Sequence, residues 1–202
     1  MSTMSHRSIR SALGLSLLLL AMLAASCGKK NSAGSETDAA KLPAATEQST
    51  APALTDANIV AIVLMANKMD IENARMALGK TKDPAVKAFA NQMVEDHTSA
   101  TRQTTDLAAK LSLKPEEDDS SRQLEAASDS TRKTIDESKG TGFDKAYIDN
   151  EVVAHQAVLD MLDKTLIAGA TNPELKSLLE STRSVIVKHL AHAKSVQASL
   201  GS

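Results

Sequence analysis

Four stretches of the chain repeat apolar positions at three-and-four spacing, the signature of an amphipathic helix. Over residues 84–111 the repeat runs Val86, Ala90, Met93, His97, Ala100, Thr104, Leu107, Leu111. Over 55–78 it runs Ile59, Ile62, Val63, Ala66, Met69, Asn73, Met76. Residues 143–168 carry Ile148, Val152, His155, Leu159, Leu162 and Leu166 on one face. From Pro173 onward the stripe is Leu175, Leu178, Thr182, Val185, His189, His192, Val196.

The boundaries are marked in the sequence. Thr55 or Asp56 can cap the first helix, and Gly79 is its expected stop. Asp83 before Pro84 reads as a cap followed by proline in the first helical position, and Pro173 opens the last helix in the same way. The connections around residues 80–84 and 169–172 are short, so each joins an antiparallel helix pair. Residues 112–142 differ. Pro115 and the run Glu116, Glu117, Asp118, Asp119 break the pattern, and Leu124, Ala127 and Ile135 are too sparse for a strong core face. This spacing predicts a surface helix over 120–138, ended by Gly140 and Gly142. The acidic run reads as a solvated helix start, favoured by the helix dipole, rather than a cation site. The expected fold is all-α: a ferritin-like four-helix bundle over residues 55–200, built of two antiparallel hairpins joined by a long, partly helical crossover.

Composition narrows the core and the partners. Aromatic residues make up 1% of the chain against 42% apolar residues, so the core must be built from aliphatic side chains, Met and Ala. That palette suits closely packed helices and argues against a β-sandwich. The formal net charge of −2 comes with no basic cluster interleaved with aromatics, so nucleic acid is not an expected partner.

The N-terminus reads as an address. His6, Arg7 and Arg10 precede an apolar run over 13–23, which is shorter than the ~20 residues of a membrane-spanning helix and fits a secretory signal. Leu23-Ala24-Ala25-Ser26-Cys27 follows and resembles a bacterial lipobox, with the leucine one place further from the cysteine than usual. Residues 1–27 are therefore expected to be a lipoprotein signal, with the thiol of Cys27, the sole cysteine, lipidated. Gly28 in place of Asp favours the outer membrane, facing the periplasm. Residues 28–54 are rich in small and polar residues without an apolar period and read as a disordered tether.

The candidate chemistry lies on the helices. His97, His155 and His189 occupy three different apolar faces, with Asp70, Glu72, Asp96 and Glu151 at nearby positions. Folding the first hairpin about its turn puts Met93 opposite Asp70 and His97 about one turn, or ~6 Å, away. Folding the second puts Glu151 nearly level with His189. Imidazole with carboxylate suits a transition metal such as iron, manganese or zinc. The same groups also satisfy one another as a polar cluster that fixes helix register. The Glu-x-x-His pairs of di-iron bundles are missing: Val94, Val152 and Ile186 stand three residues before the histidines. His192 shares the face of His189 or marks the bundle end. Met65, Met69, Met76, Met93 and Met161 have the spacing of core packing rather than of copper ligands. Tyr147 is expected to bury a hydrogen-bonded hydroxyl. No nucleophile triad, phosphate loop or other catalytic motif stands out.

Several segments together resemble a bacterial family of unknown function labelled "predicted outer membrane protein". They are Asp70-Ile71-Glu72, the segment from Asp83 to Ala90, Met93-Val94-Glu95-Asp96-His97, Phe143-Asp144-Lys145-Ala146-Tyr147 with His155, and Lys188-His189-Leu190. The resemblance implies a ferritin-like bundle in the cell envelope and carries no settled activity. It departs where the family has Leu-Pro before the last histidine and this chain has Arg183 and Ser184. The expected protein is a lipid-anchored envelope module, non-enzymatic, binding an envelope protein partner or supporting stress tolerance. The alternative is a metal-binding or redox protein that uses the His/carboxylate cluster.

Overall fold

The computed structural model describes residues 54–201. The expected signal over 1–27, Cys27 and the tether up to residue 53 lie outside the described residues. The helices are α1 (Asp56–Lys80), α2 (Pro84–Lys110), α3 (Asp119–Glu137), α4 (Thr141–Met161), α5 (Ile167–Gly169) and α6 (Pro173–Leu200). A single π turn, Leu162–Leu166, links α4 to the short α5, so the three together form one long rod. The sequence pattern does not announce this turn, which keeps both Leu162 and Leu166 buried.

The ends form where local chemistry supplies partners for the free backbone groups. Thr55 caps α1 in a reciprocal box with Asn58. Asp83 accepts from the Ala85 and Val86 amides with Pro84 following, and Asn172 does the same for Glu174 and Leu175 ahead of α6. Asp118 caps α3, so the acidic run is indeed a helix start. Gly79 does not stop α1: the helix continues to Lys80 and ends at Thr81, whose extended backbone leads into the Asp83 cap. Gly140, at φ 56°, turns the chain into α4 in a conformation that a side chain would strain.

The hairpins α1–α2 and α4–α6 pack side by side, α2 against α6 and α1 against α4, while α3 lies across α1 and α4. This is the all-α, ferritin-like bundle with a helical crossover. Along each long helix the buried residues fall into three levels. One apolar cluster joins Ala74, Phe89, Met93, Tyr147, Ile148 and Ala193 among others. A second joins Ile59, Ile62, Ala108, Leu162, Leu179 and Ile186 among others. Between them every long helix places polar side chains: Asn67 and Asn73 on α1, His97 on α2, Glu151 and His155 on α4, His189 on α6, all buried.

Two inner faces are rotated from those the sequence suggests. On α1, Ala66, Met69 and Met76 are half-buried, while Asn67, Ala74 and Ala77 face the core. On α6, Val185 is 38% exposed and Leu178 half-buried, while Leu179, Ile186 and Ala193 are buried. In both, several apolar positions one step around the helix were available, and packing against two neighbours selected the other stripe. Among the described residues no helix is long and apolar enough to cross a membrane.

Candidate metal centre

His97, His155 and His189 converge at mid-height of the bundle. Their ring centroids are 5.9 Å (97–155), 5.3 Å (97–189) and 5.4 Å (155–189) apart. One nitrogen from each lies within 4.8 Å of the other two.

The outer nitrogen of each ring has a fixed partner. His97 Nδ1 is 2.8 Å from Asn67 Oδ1. His155 Nδ1 is 2.9 Å from the Glu151 carbonyl oxygen, one helical turn back. His189 Nε2 is 2.9 Å from Asp96 Oδ2. All three partners accept hydrogen bonds, so each of these ring nitrogens carries the proton and donates it. The other nitrogen then holds a bare lone pair. Those nitrogens, His97 Nε2, His155 Nε2 and His189 Nδ1, are buried without a hydrogen-bond partner.

Asp70 on α1 completes the convergence. Its Oδ2 lies 3.4 Å from His97 Nε2 and 3.7 Å from His155 Nε2. These are contacts between electron pairs with no hydrogen to share. Ligand atoms about a tetrahedral ion with bonds of 2.0–2.1 Å stand roughly 3.3–3.4 Å apart. Asp70 Oδ2 thus stands near ligand spacing from His97 and His155, and the three histidines alone form a donor set that suits a small cation.

Electrostatics favour neutral imidazoles at His155 and His189. Burial lowers the proton affinity of His155 against the pull of Asp70. Burial, with the neighbouring His97 and His155, lowers that of His189 against its bond to Asp96. Burial works to raise the Asp96 carboxyl, but the hydrogen bonds from His189 and Gln92 outweigh it and hold it below the usual range. Burial and the charge of Asp70 push the Glu151 carboxyl well above its ordinary range.

The other expected residues divide clearly. Asp96 orients His189 from the outside. Glu151 is buried, with Oε2 at 3.5 Å from His155 Nδ1, and forms with Asp70 and His155 a second close group. Glu72 is not part of the site: it faces outward and pairs with Arg132 on α3. Tyr147 is buried with its ring against Phe89 and Phe143, yet its hydroxyl has no hydrogen-bond partner, contrary to the expected one. His192 sits one turn beyond His189 and meets Gln92 Oε1 at 2.8 Å. Asn67 was missed. The signal was present, since Asn67, Asp70 and Asn73 recur at every third position and so share one side of α1.

Fold and site together define a ferritin-like helical bundle with a histidine and carboxylate layer across its centre. Residues 41–196 match the family model of DUF4142, a domain of unknown function, and the chain belongs to that family. Comparison with curated proteins gave no match. Among solved structures, a DUF305 fragment from Deinococcus radiodurans aligns at TM-score 0.62 and 14% identity, over 71% of this chain and 95% of that one. A DUF305 protein from Streptomyces coelicolor, described as secreted, aligns at TM-score 0.62 and 14% identity, over 73% of this chain and 94% of the other. CopM in its Cu(II)-bound form aligns at TM-score 0.55 and 18% identity, over 72% and 98%. At these identities the likeness is one of fold.

Proposed function

We propose that this protein is an envelope module that binds one divalent transition-metal ion through His97, His155, His189 and Asp70. The observation that carries the reading is the set of three tautomers, each fixed by an outer partner and each leaving a buried, unpartnered nitrogen, on three histidines whose ligand atoms lie within 4.8 Å of one another. Metal-bound histidines are oriented by such outer partners. Three imidazoles and one carboxylate suit zinc, copper(II) or iron(II) better than magnesium or calcium. The copper-bound state of the similarly folded CopM supports the same class of ion.

The test is elemental analysis of protein purified without a metal-affinity tag, followed by thermal melts with stoichiometric zinc or copper. One equivalent of bound ion should raise the melting temperature of the wild type, since binding the folded state alone stabilises it by about 2.7 kcal/mol at a hundredfold excess over Kd. A melting curve unmoved by any of these ions would refute the reading.

The location belongs to the same proposal. The apolar run over 13–23 and the lipobox-like stretch ending in Cys27 support a lipid-anchored protein at the outer membrane, facing the periplasm. Cys27→Ala should shift the protein from the detergent phase to the aqueous phase. Unchanged partitioning would remove the anchor from the proposal.

A further inference from the structure

A cavity of about 200 Å³ opens beside the histidine layer, in the seam between α1 and α4 and beneath α3. Ile62, Val158, Leu162 and Ile186 line one end, and Leu124 and Thr131 of α3 lie over it. The polar wall is the histidine layer itself: Asn67, Asp70, Asn73, His97, Glu151 and His155. A dry apolar cavity of ~150 Å³ is large enough to take up benzene, so this one suits a molecule of that size or slightly larger.

The polar end dictates the chemistry of an occupant. Asp70 Oδ1, Asn73 Oδ1 and Glu151 Oε2 are buried without a hydrogen-bond partner, and Asn73 and Glu151 are 7% and 1% exposed. The Asp70 and Asn73 oxygens accept hydrogen bonds, so a group that satisfies either of them must donate, and a single hydroxyl satisfies one. Two carboxyl groups at the same end disfavour an anion. Asp70 meets His97 and His155 through Oδ2, which leaves its Oδ1 to accept from an occupant.

We infer that this cavity is a binding site for a small apolar molecule with a single hydroxyl, of the phenol or short-chain alcohol class, seated with that hydroxyl toward Asp70 and Asn73. The apolar body fills the space among Ile62, Val158, Leu162 and Ile186. The cavity shares Asp70, His97 and His155 with the proposed ion site as one wall, and its occupancy does not require an ion.

The experiment titrates phenol into methyl-labelled, chelator-treated full-length protein and follows the Ile62 and Ile186 methyl signals. Saturable shifts are expected. Toluene, equal in shape but without the hydroxyl, should bind about tenfold more weakly, the loss of one good hydrogen bond. Benzoate should not bind. Ala66→Phe and Ala154→Phe fill the cavity from α1 and α4 respectively, and each should abolish the phenol response. The Ile148 methyl, in the other apolar cluster, reports whether each variant remains folded. Wild-type signals that do not saturate, benzoate binding as well as phenol, or phenol binding that survives in a folded filled variant would overturn the site. Toluene matching phenol would overturn the role given to the hydroxyl. Because the protein is metal-free throughout, failure here is distinct from failure to bind an ion.

Discussion

His189 Nε2 lies 2.9 Å from Asp96 Oδ2, across 93 residues of chain and two helices that are not neighbours in sequence. Asp96 stands one residue before His97, so α2 presents one residue to the centre of the layer and the next to its rim. The carboxylate takes the Nε2 proton and turns Nδ1 inward. Gln92, one turn earlier, holds the same carboxylate oxygen at 3.2 Å.

Asp96→Ala should therefore weaken metal binding without removing a ligand. Loss of such an outer partner typically costs 10–100-fold in affinity. The change also strands the Nε2 hydrogen of His189, which is 1% exposed, so the metal-free protein should lose about 1–3 kcal/mol as well. Asp96→Asn, whose amide oxygen still accepts from Nε2, should fall between the two. Calorimetric titration with zinc reads the affinity; equal affinity in all three proteins would refute the role of Asp96.

His97→Leu and His97→Ala separate the ion from the packing. Both variants leave Asn67 Oδ1 without its donor, at a cost of about 1–3 kcal/mol. Leucine also removes one of the crowded lone pairs and fills the apolar face, whereas alanine leaves a gap, so the metal-free leucine variant should be the more stable of the two. Both should lose the metal-induced rise in melting temperature. Urea unfolding with and without zinc gives all four numbers, and a rise that persists in the leucine variant would exclude His97 as a ligand.

A different carboxylate governs acid sensitivity away from the site. Asp56 accepts from the Thr171 amide at 2.8 Å, the Thr171 hydroxyl at 2.7 Å and the Asn172 amide at 3.0 Å, tying the start of α1 to the turn before α6. Burial works to raise its carboxyl, and these three bonds outweigh burial and hold it below the ordinary aspartate value. A lowered folded-state value means that the unfolded chain takes up the proton first. The stabilisation is thus present above about pH 4 and is lost as pH falls through the folded-state value. Asp56→Ala should destabilise by about 1–3 kcal/mol at pH 7, and the gap to wild type should narrow by pH 3. Urea midpoints at the two pH values check it; a gap constant with pH would show that the charge is immaterial.

The hairpins and caps were legible because they rest on local chemistry: Asp83-Pro84 and Asn172-Pro173 behave as their spacing suggests. The three histidines were legible for the same reason, since each falls on the apolar stripe of its helix. What the sequence could not hold was the choice between neighbouring stripes, which put Val185 outward and Ile186 inward, and the partner of each ring nitrogen. Glu72 and Asp70 are two residues apart on one helix, yet one pairs with Arg132 outside and the other enters the layer. Residue types alone allow both a structural polar cluster and a metal site. The proton positions, which depend on Asn67, the Glu151 carbonyl and Asp96, are what the proposed ion rests on.

The placement of the layer between two apolar clusters bears on how the molecule comes apart. Neither cluster spans the full bundle, and the residues that join them are polar groups whose free atoms repel. An ion held by one side chain from each of α1, α2, α4 and α6 would act as a rivet through four rods at their midpoints. Loaded protein should then open as one cooperative unit, while metal-free protein should open its two ends with separate free energies. Native-state hydrogen exchange would show this as amides around Ile62 and Leu179 and amides around Phe89 and Ala193 sharing one opening free energy with zinc and diverging after chelation. The ion would thus set the size of the cooperative unit as well as its stability.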